Sequence, residues 1–203
     1  LCDESFVHDS IDSVVDTIGA NSTLFTVVRH PIDRFLSGYV DKCMKELTYY
    51  TEEERCFGCQ NDMQCFVDVL YDVFMEHYKN KGETSDDPET ARMNHYYIRH
   101  FAPQTWYCEF KEHKKDYIIL NYHLGSNSTR RIADDFRQLF EKLYVPPRHL
   151  RTIYKEMMKG TTRHSTVGSS FRKAAQERLL SDDYVLRRLV QMFFYDFVEF
   201  GFS

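Results

Sequence analysis

The chain is 203 residues long, 42% apolar and 28% charged, with 14 Tyr, 16 Phe and a formal charge of -5. That length supports one compact domain, and the composition excludes a disordered, fibrous or collagen-like polypeptide. The acidic balance excludes general nucleic-acid affinity, which needs a clustered positive field, and the apolar runs are too short and too interrupted by charge to span a bilayer.

Taken in chain order, Ser10 to Ile18 reads as a short helix stopped by Gly19 and Asn21. Leu24 to Val28, LFTVV, is a continuous apolar and β-branched run, the pattern of a strand buried on both faces of a parallel sheet. The run ends at Arg29-His30-Pro31, and Pro31 opens a helix predicted to continue from Asp33 to Leu47 with Phe35, Tyr39 and Cys43 on one stripe. After a Cys-rich loop, a helix is expected from Cys65 to about Asn80, with Phe66, Leu70, Val73, Phe74 and His77 at helical spacing. Pro88 starts another, leading to His95 and Ile98. Asp116 to Tyr122 reads as a second buried strand, and Ser128 to Leu143 as an amphipathic helix with Ile132, Phe136, Leu139 and Phe140 inward. Three helical stretches follow, near His149 to Met158, Ser170 to Leu180 and Asp182 to Phe200, the last burying Leu186, Leu189, Val190, Phe193 and Phe197. Strands separated by helices predict an α/β fold, a parallel sheet flanked by helices with a helix-rich C-terminal half.

Six cysteines, Cys2, Cys43, Cys56, Cys59, Cys65 and Cys108, form an even set, and sequons begin at Asn21 and Asn127. Together they favour an oxidising, secretory compartment. Cys56, Cys59 and Cys65 would suit zinc by residue type, but neither a second CxxC nor a His pair follows at finger spacing, so disulfides are the better reading, with pairing open. From Arg148 to His164 the chain carries five Arg and Lys against Glu156 alone, a concentrated basic stretch that is either a solvated face or an anion contact.

The chemistry concentrates in Phe25 to Lys42, FTVVRHPIDRFLSGYVDK. A strand delivers Arg29 to the sheet edge, where open α/β sheets bind ligands, and Ser37 lies one to two turns into the following helix. A guanidinium can take two phosphate oxygens at once, and the serine adds a hydroxyl donor. The pattern Arg-x-Pro-x-x-Arg-Phe-x-Ser-x-Tyr resembles the 3'-phosphate motif of sulfotransferases that use 3'-phosphoadenosine 5'-phosphosulfate, with Arg29 and Ser37 on its two phosphate-binding positions. His100-Phe101-Ala102-Pro103-Gln104 with Cys108, and the closing FFYDFVEFGF, are similar to segments of the Golgi carbohydrate sulfotransferases that modify chondroitin and related glycans.

The resemblance implies a P-loop-like sulfotransferase fold as a single domain over 1–203. It also implies transfer of sulfate from 3'-phosphoadenosine 5'-phosphosulfate to a hydroxyl of a glycosaminoglycan-like acceptor, without a metal, by a Golgi lumenal, type II membrane or secreted protein. His8, 21 residues before Arg29, and His100 are the candidate bases. Arg163 and Ser165, in the hydroxyl-rich end of the basic stretch, are candidates to close over the nucleotide. The second donor element of such enzymes, the loop that holds the 5'-phosphosulfate, should precede Arg29, yet Leu1 to Leu24 contains no Lys or Arg. That loop either precedes Leu1, as any membrane anchor would, or is lost; an upstream position is the better reading, and residues 1–203 by themselves are then expected to transfer sulfate inefficiently. Two rivals remain at this point: a non-catalytic nucleotide- or glycan-binding domain of the same fold, and a P-loop kinase, for which no G-x-x-x-x-G-K-[ST] occurs.

Overall fold

A computed structural model describes residues 7–46, 48–82, 85–160, 166 and 168–203. The chain divides into two compact units, one formed by residues 1–29 and 104–161 and the other by 30–103 and 162–203, so it passes between them three times.

In the first unit, helix α1 (Ile11–Ile18) is capped by Ser10, whose hydroxyl accepts from the Ser13 N–H. The Ile11 N–H donates to the Glu109 carboxylate at 2.6 Å, fixing the helix start to residue 109. Strands β1 (Phe25–Val28) and β2 (Ile118–Asn121) pair in parallel, Phe25 opposite Ile118 and Val28 opposite Asn121. Both strands form where sequence placed them, but neither is buried on both faces. Phe25, Val27, Ile118 and Ile119 are 36–39% exposed, because the sheet of the described residues has only these two strands. Helix α6 (Ser128–Lys142) offers Phe136 and Phe140 edge-on to Phe25, with ring centroids 5.8 and 5.9 Å away. Helix α7 (Pro147–Met157), with Pro147 at its first position, packs on α6 through Tyr154, which donates to Asp134. The short α5 (Phe110–His113) leads into β2.

The second unit is helical. Helix α2 (Pro31–Tyr39) continues as a π-helical segment, Val40–Lys45, and carries Phe35, Tyr39 and Cys43 into the core as the spacing required. Helix α3 (Met63–Lys79) begins two residues before the expected start, because the Asp62 carboxylate caps the Cys65 N–H. Helix α4 (Pro88–Phe101) is capped by Asp87 and runs on through His100. Phe35, Tyr39, Phe66, Tyr97 and Phe101 are all 1% exposed or less and meet in one aromatic cluster, with Phe66 and Phe101 centroids 5.1 Å apart. Gly38 makes this packing possible. A Cβ there would stand 2.8 Å from Phe101 Cε1.

Helix α8 (Ser170–Leu180) matches its expected bounds, whereas the predicted helix over 182–200 divides at Phe193 into α9 (Asp183–Met192) and α10 (Phe194–Phe200). Leu189 and Phe193 are buried as expected, while Val190 is 45% exposed: the inward face of α9 runs through Val185, Leu189 and Phe193 at four-residue spacing, and Val190 lies about 100° round the helix from Leu189. Disulfides join Cys43 to Cys56 and Cys59 to Cys65, which settles the choice between disulfides and zinc for that group. Cys108 is a free, exposed thiol and Cys2 lies outside the described residues. No described helix is long and apolar enough to cross a membrane.

Candidate active site

Arg29 is the first residue beyond β1 in the first unit. Its backbone N–H donates to Gln104 Oε1 and its carbonyl accepts from Gln104 Nε2, both at 2.8 Å. A carboxamide that pairs with the donor and the acceptor of one residue imitates a neighbouring strand, so Gln104 extends the sheet's hydrogen bonding by one residue past its end. On the other strand, the Tyr122 N–H donates to the Val28 carbonyl at 2.7 Å, and the guanidinium carbon of Arg29 lies 4.9 Å from the Tyr122 ring centroid. Arg29 is thus held by its backbone and by its side chain at the carboxyl ends of both strands, the edge where open α/β sheets take ligands.

Ser37 belongs to the second unit, where its hydroxyl meets Arg172 of α8 and Thr166. Arg172 also pairs with the carboxylate of Asp33, one turn earlier on α2. Arg172 did not stand out in the sequence, and Thr166 did so only as one hydroxyl of the stretch from Lys159 to Thr166 that could close over a phosphate: their partners lie 129 to 139 residues away, and no local pattern reports a contact of that range. Arg163 and Ser165 lie outside the described residues.

Other residues of the motif serve the scaffold. Arg34 donates to the carbonyls of Ala102 (2.8 Å), His100 (3.3 Å) and Phe101 (3.4 Å), satisfying the acceptors that the end of α4 leaves without intrahelical donors. Phe35 and Tyr39 fill the core, and burial pushes the Tyr39 hydroxyl up to about 12 against the pull of Arg178. The His30 ring stands edge-on to Phe197 and Phe202, at 5.6 and 5.5 Å.

The two candidate bases differ in surroundings. His8, partly exposed in the first unit, has its Nδ1 3.0 Å from the Ser13 hydroxyl. His100, in the second unit, lies edge-on to Tyr96 at 4.6 Å; burial, with Lys42 and Arg99 close by, drives its pKa down to about 4. An imidazole that binds its proton so weakly is a poor acceptor at neutral pH. A cavity of about 470 Å³ in the second unit is lined by Asn61, Asp62, Arg178 and Asp182 among others, and by none of the site residues expected from sequence. No cluster of three or more metal-ligating side chains occurs among the described residues.

A parallel strand pair flanked by helices, with an arginine fixed at its carboxyl edge, makes this an α/β protein. Residues 7–203 match the sulfotransferase family, and the chain belongs to it. It is 30% identical over 177 residues to carbohydrate sulfotransferase chst-1 of Caenorhabditis elegans, covering 87% of this chain and 51% of that protein. It is 31% identical over 177 residues to the uncharacterized protein C18B2.2 of the same organism, covering 87% and 46%. The chain therefore spans about half the length of these curated relatives. No solved structure matches it.

Proposed function

We propose that the protein transfers sulfate from 3'-phosphoadenosine 5'-phosphosulfate to a hydroxyl of a glycan, glycosaminoglycan-like acceptor, within the secretory pathway. The observation that carries this reading is Arg29: a fork of donors at the sheet edge whose backbone is fixed by Gln104 and whose guanidinium carbon lies over the Tyr122 ring. Arg29 takes two oxygens of the donor's 3'-phosphate, and Ser37 donates its hydroxyl hydrogen to the same group; their shared role rests on their spacing in the motif. The acceptor oxygen forms its bond to sulfur as the bond from sulfur to the 5'-phosphate oxygen breaks. The hydroxyl proton passes to a base, and 3'-phosphoadenosine 5'-phosphate leaves.

His8 is the base in this proposal. His100 is disfavoured by a pKa of about 4, too far below working pH to draw a proton efficiently. A Golgi setting, with the protein lumenal or anchored as a type II membrane protein, is supported by the two disulfides and by the exposure of both sequon asparagines, Asn21 and Asn127.

Calorimetry with 3'-phosphoadenosine 5'-phosphate and with ATP tests the donor. The former binds more tightly, Arg29→Ala removes that binding, and His8→Gln leaves it intact while lowering turnover about 10²- to 10⁴-fold. Equal affinity for the two nucleotides refutes the assignment. Binding without turnover on any glycan supports the binding-domain reading instead.

A further inference from the structure

We propose that Arg172 is a positioning residue for the phosphate-binding serine: it fixes the Ser37 hydroxyl as a hydrogen-bond donor, and Asp33 in turn fixes Arg172. The proposal rests on the donor reading above and adds Arg172, which lies outside the motif, and Asp33, which stands at one of its unspecified positions.

Asp33 and Ser37 are four residues apart on α2 and so present their side chains on one face of it. Arg172, the third residue of α8, spans both. Its Nη1 donates to Ser37 Oγ at 2.7 Å and to the Asp33 carbonyl at 3.2 Å, and its Nη2 pairs with Asp33 Oδ1. The Arg172 and Asp33 side chains are only 14% and 15% exposed, so the ion pair is sheltered from the screening that weakens surface pairs. The start of α8 is itself tied down: Ser169 Oγ accepts from the Arg172 N–H and donates to the Thr166 carbonyl. Thr166 Oγ1 then donates to Ser37 Oγ at 3.3 Å.

The directions of these bonds carry the inference. A guanidinium has donors and no acceptor, so at Arg172 the serine oxygen must accept. A phosphate oxygen only accepts, so toward it the serine must donate. A hydroxyl that accepts from a cation becomes a stronger donor through its own O–H, and the same contact selects one side-chain rotamer where an isolated serine would sample several. Asp33 balances the charge of Arg172 and sets the plane of its fork.

The test is a double-mutant cycle read by calorimetry, with 3'-phosphoadenosine 5'-phosphate and adenosine 5'-phosphate as probes on wild type, Ser37→Ala, Arg172→Met, Arg172→Lys and the Ser37→Ala/Arg172→Met pair. Arg172→Met is expected to weaken the 3'-phosphorylated nucleotide about tenfold, to leave adenosine 5'-phosphate within about twofold, and to add less than about twofold in the Ser37→Ala background. Arg172→Lys keeps the charge beside Asp33 without the fork. It provides a folded variant should the methionine fail to fold, with an expected loss of about three- to fivefold confined to the 3'-phosphorylated probe. A wild type that binds both probes alike overturns the donor reading, and this proposal with it. A wild-type preference that survives Arg172→Met and Arg172→Lys, an equal loss for both probes, or a full loss repeated in the Ser37→Ala background overturns the role of Arg172 alone.

Discussion

Replacing Gln104 by methionine keeps the length of the side chain and removes both hydrogen bonds to the Arg29 backbone, each 2.8 Å long in the native protein. At about 1 kcal/mol net for each bond, the protein should lose roughly 2 kcal/mol of stability, a fall in Tm of about 4–8 °C for a chain of this size. The effect on binding is separate. With the carboxamide gone, the Arg29 peptide must be ordered when the nucleotide binds, at a cost of about 1–2 kcal/mol, so affinity for 3'-phosphoadenosine 5'-phosphate should fall about 5- to 30-fold. If Gln104 serves binding by holding the Arg29 backbone, the loss does not exceed that of Arg29→Ala. Calorimetry on the two variants and wild type, with thermal unfolding monitored by circular dichroism, measures both quantities. Affinity within twofold of wild type, or a loss greater than that of Arg29→Ala, would refute the reasoning that the carboxamide serves to hold the arginine.

Elements whose signals are local were legible in the sequence. Pro31 at a first turn, the Phe35, Tyr39 and Cys43 stripe, and the amphipathic face of α6 each follow from spacing within a few residues, and each appears where that spacing put it. The strands were legible as strands but not in their burial. An apolar β-branched run implies that both faces are covered, but coverage depends on how many strands and helices pack there, and that information lies elsewhere in the chain. The break at Phe193 escaped detection because the apolar period runs on across it. At the site, Arg29 and Ser37 could be singled out because strand, proline and serine fall in one short segment. Gln104 was quoted only for its place in a resemblance, and its pairing with the Arg29 backbone joins residues 75 apart. Arg34 has the same history: one of two arginines in the motif, it turns out to cap α4, a role fixed by carbonyls 66 to 68 residues away. Side chains that act on distant backbone leave no periodicity to read.

Gly38→Ala places a Cβ 2.8 Å from Phe101 Cε1 and 3.1 Å from Cζ, inside a cluster with no slack, and should cost about 1–3 kcal/mol in urea unfolding. Restoring room with Phe101→Leu in the same chain should recover part of that loss, and a Gly38→Ala protein as stable as wild type would show that the close approach is not native. For His100 the expectation is a dependence on pH. Its folded pKa, near 4, lies below the ordinary histidine value of 6.5, so above pH 6.5 the ring is neutral whether or not the chain is folded and contributes no pH dependence. Between pH 6.5 and 4 the unfolded chain binds a proton that the folded protein refuses, and stability must fall as pH falls through that window. Because the ring is only half-buried, solvent screening reduces the effect to about 1–2 kcal/mol between pH 7 and 4. His100→Gln should flatten this part of the curve of urea midpoint against pH while leaving nucleotide affinity at pH 7 unchanged. A variant curve parallel to the wild-type one would mean that burial does not hold His100 neutral, and would restore it as a candidate base.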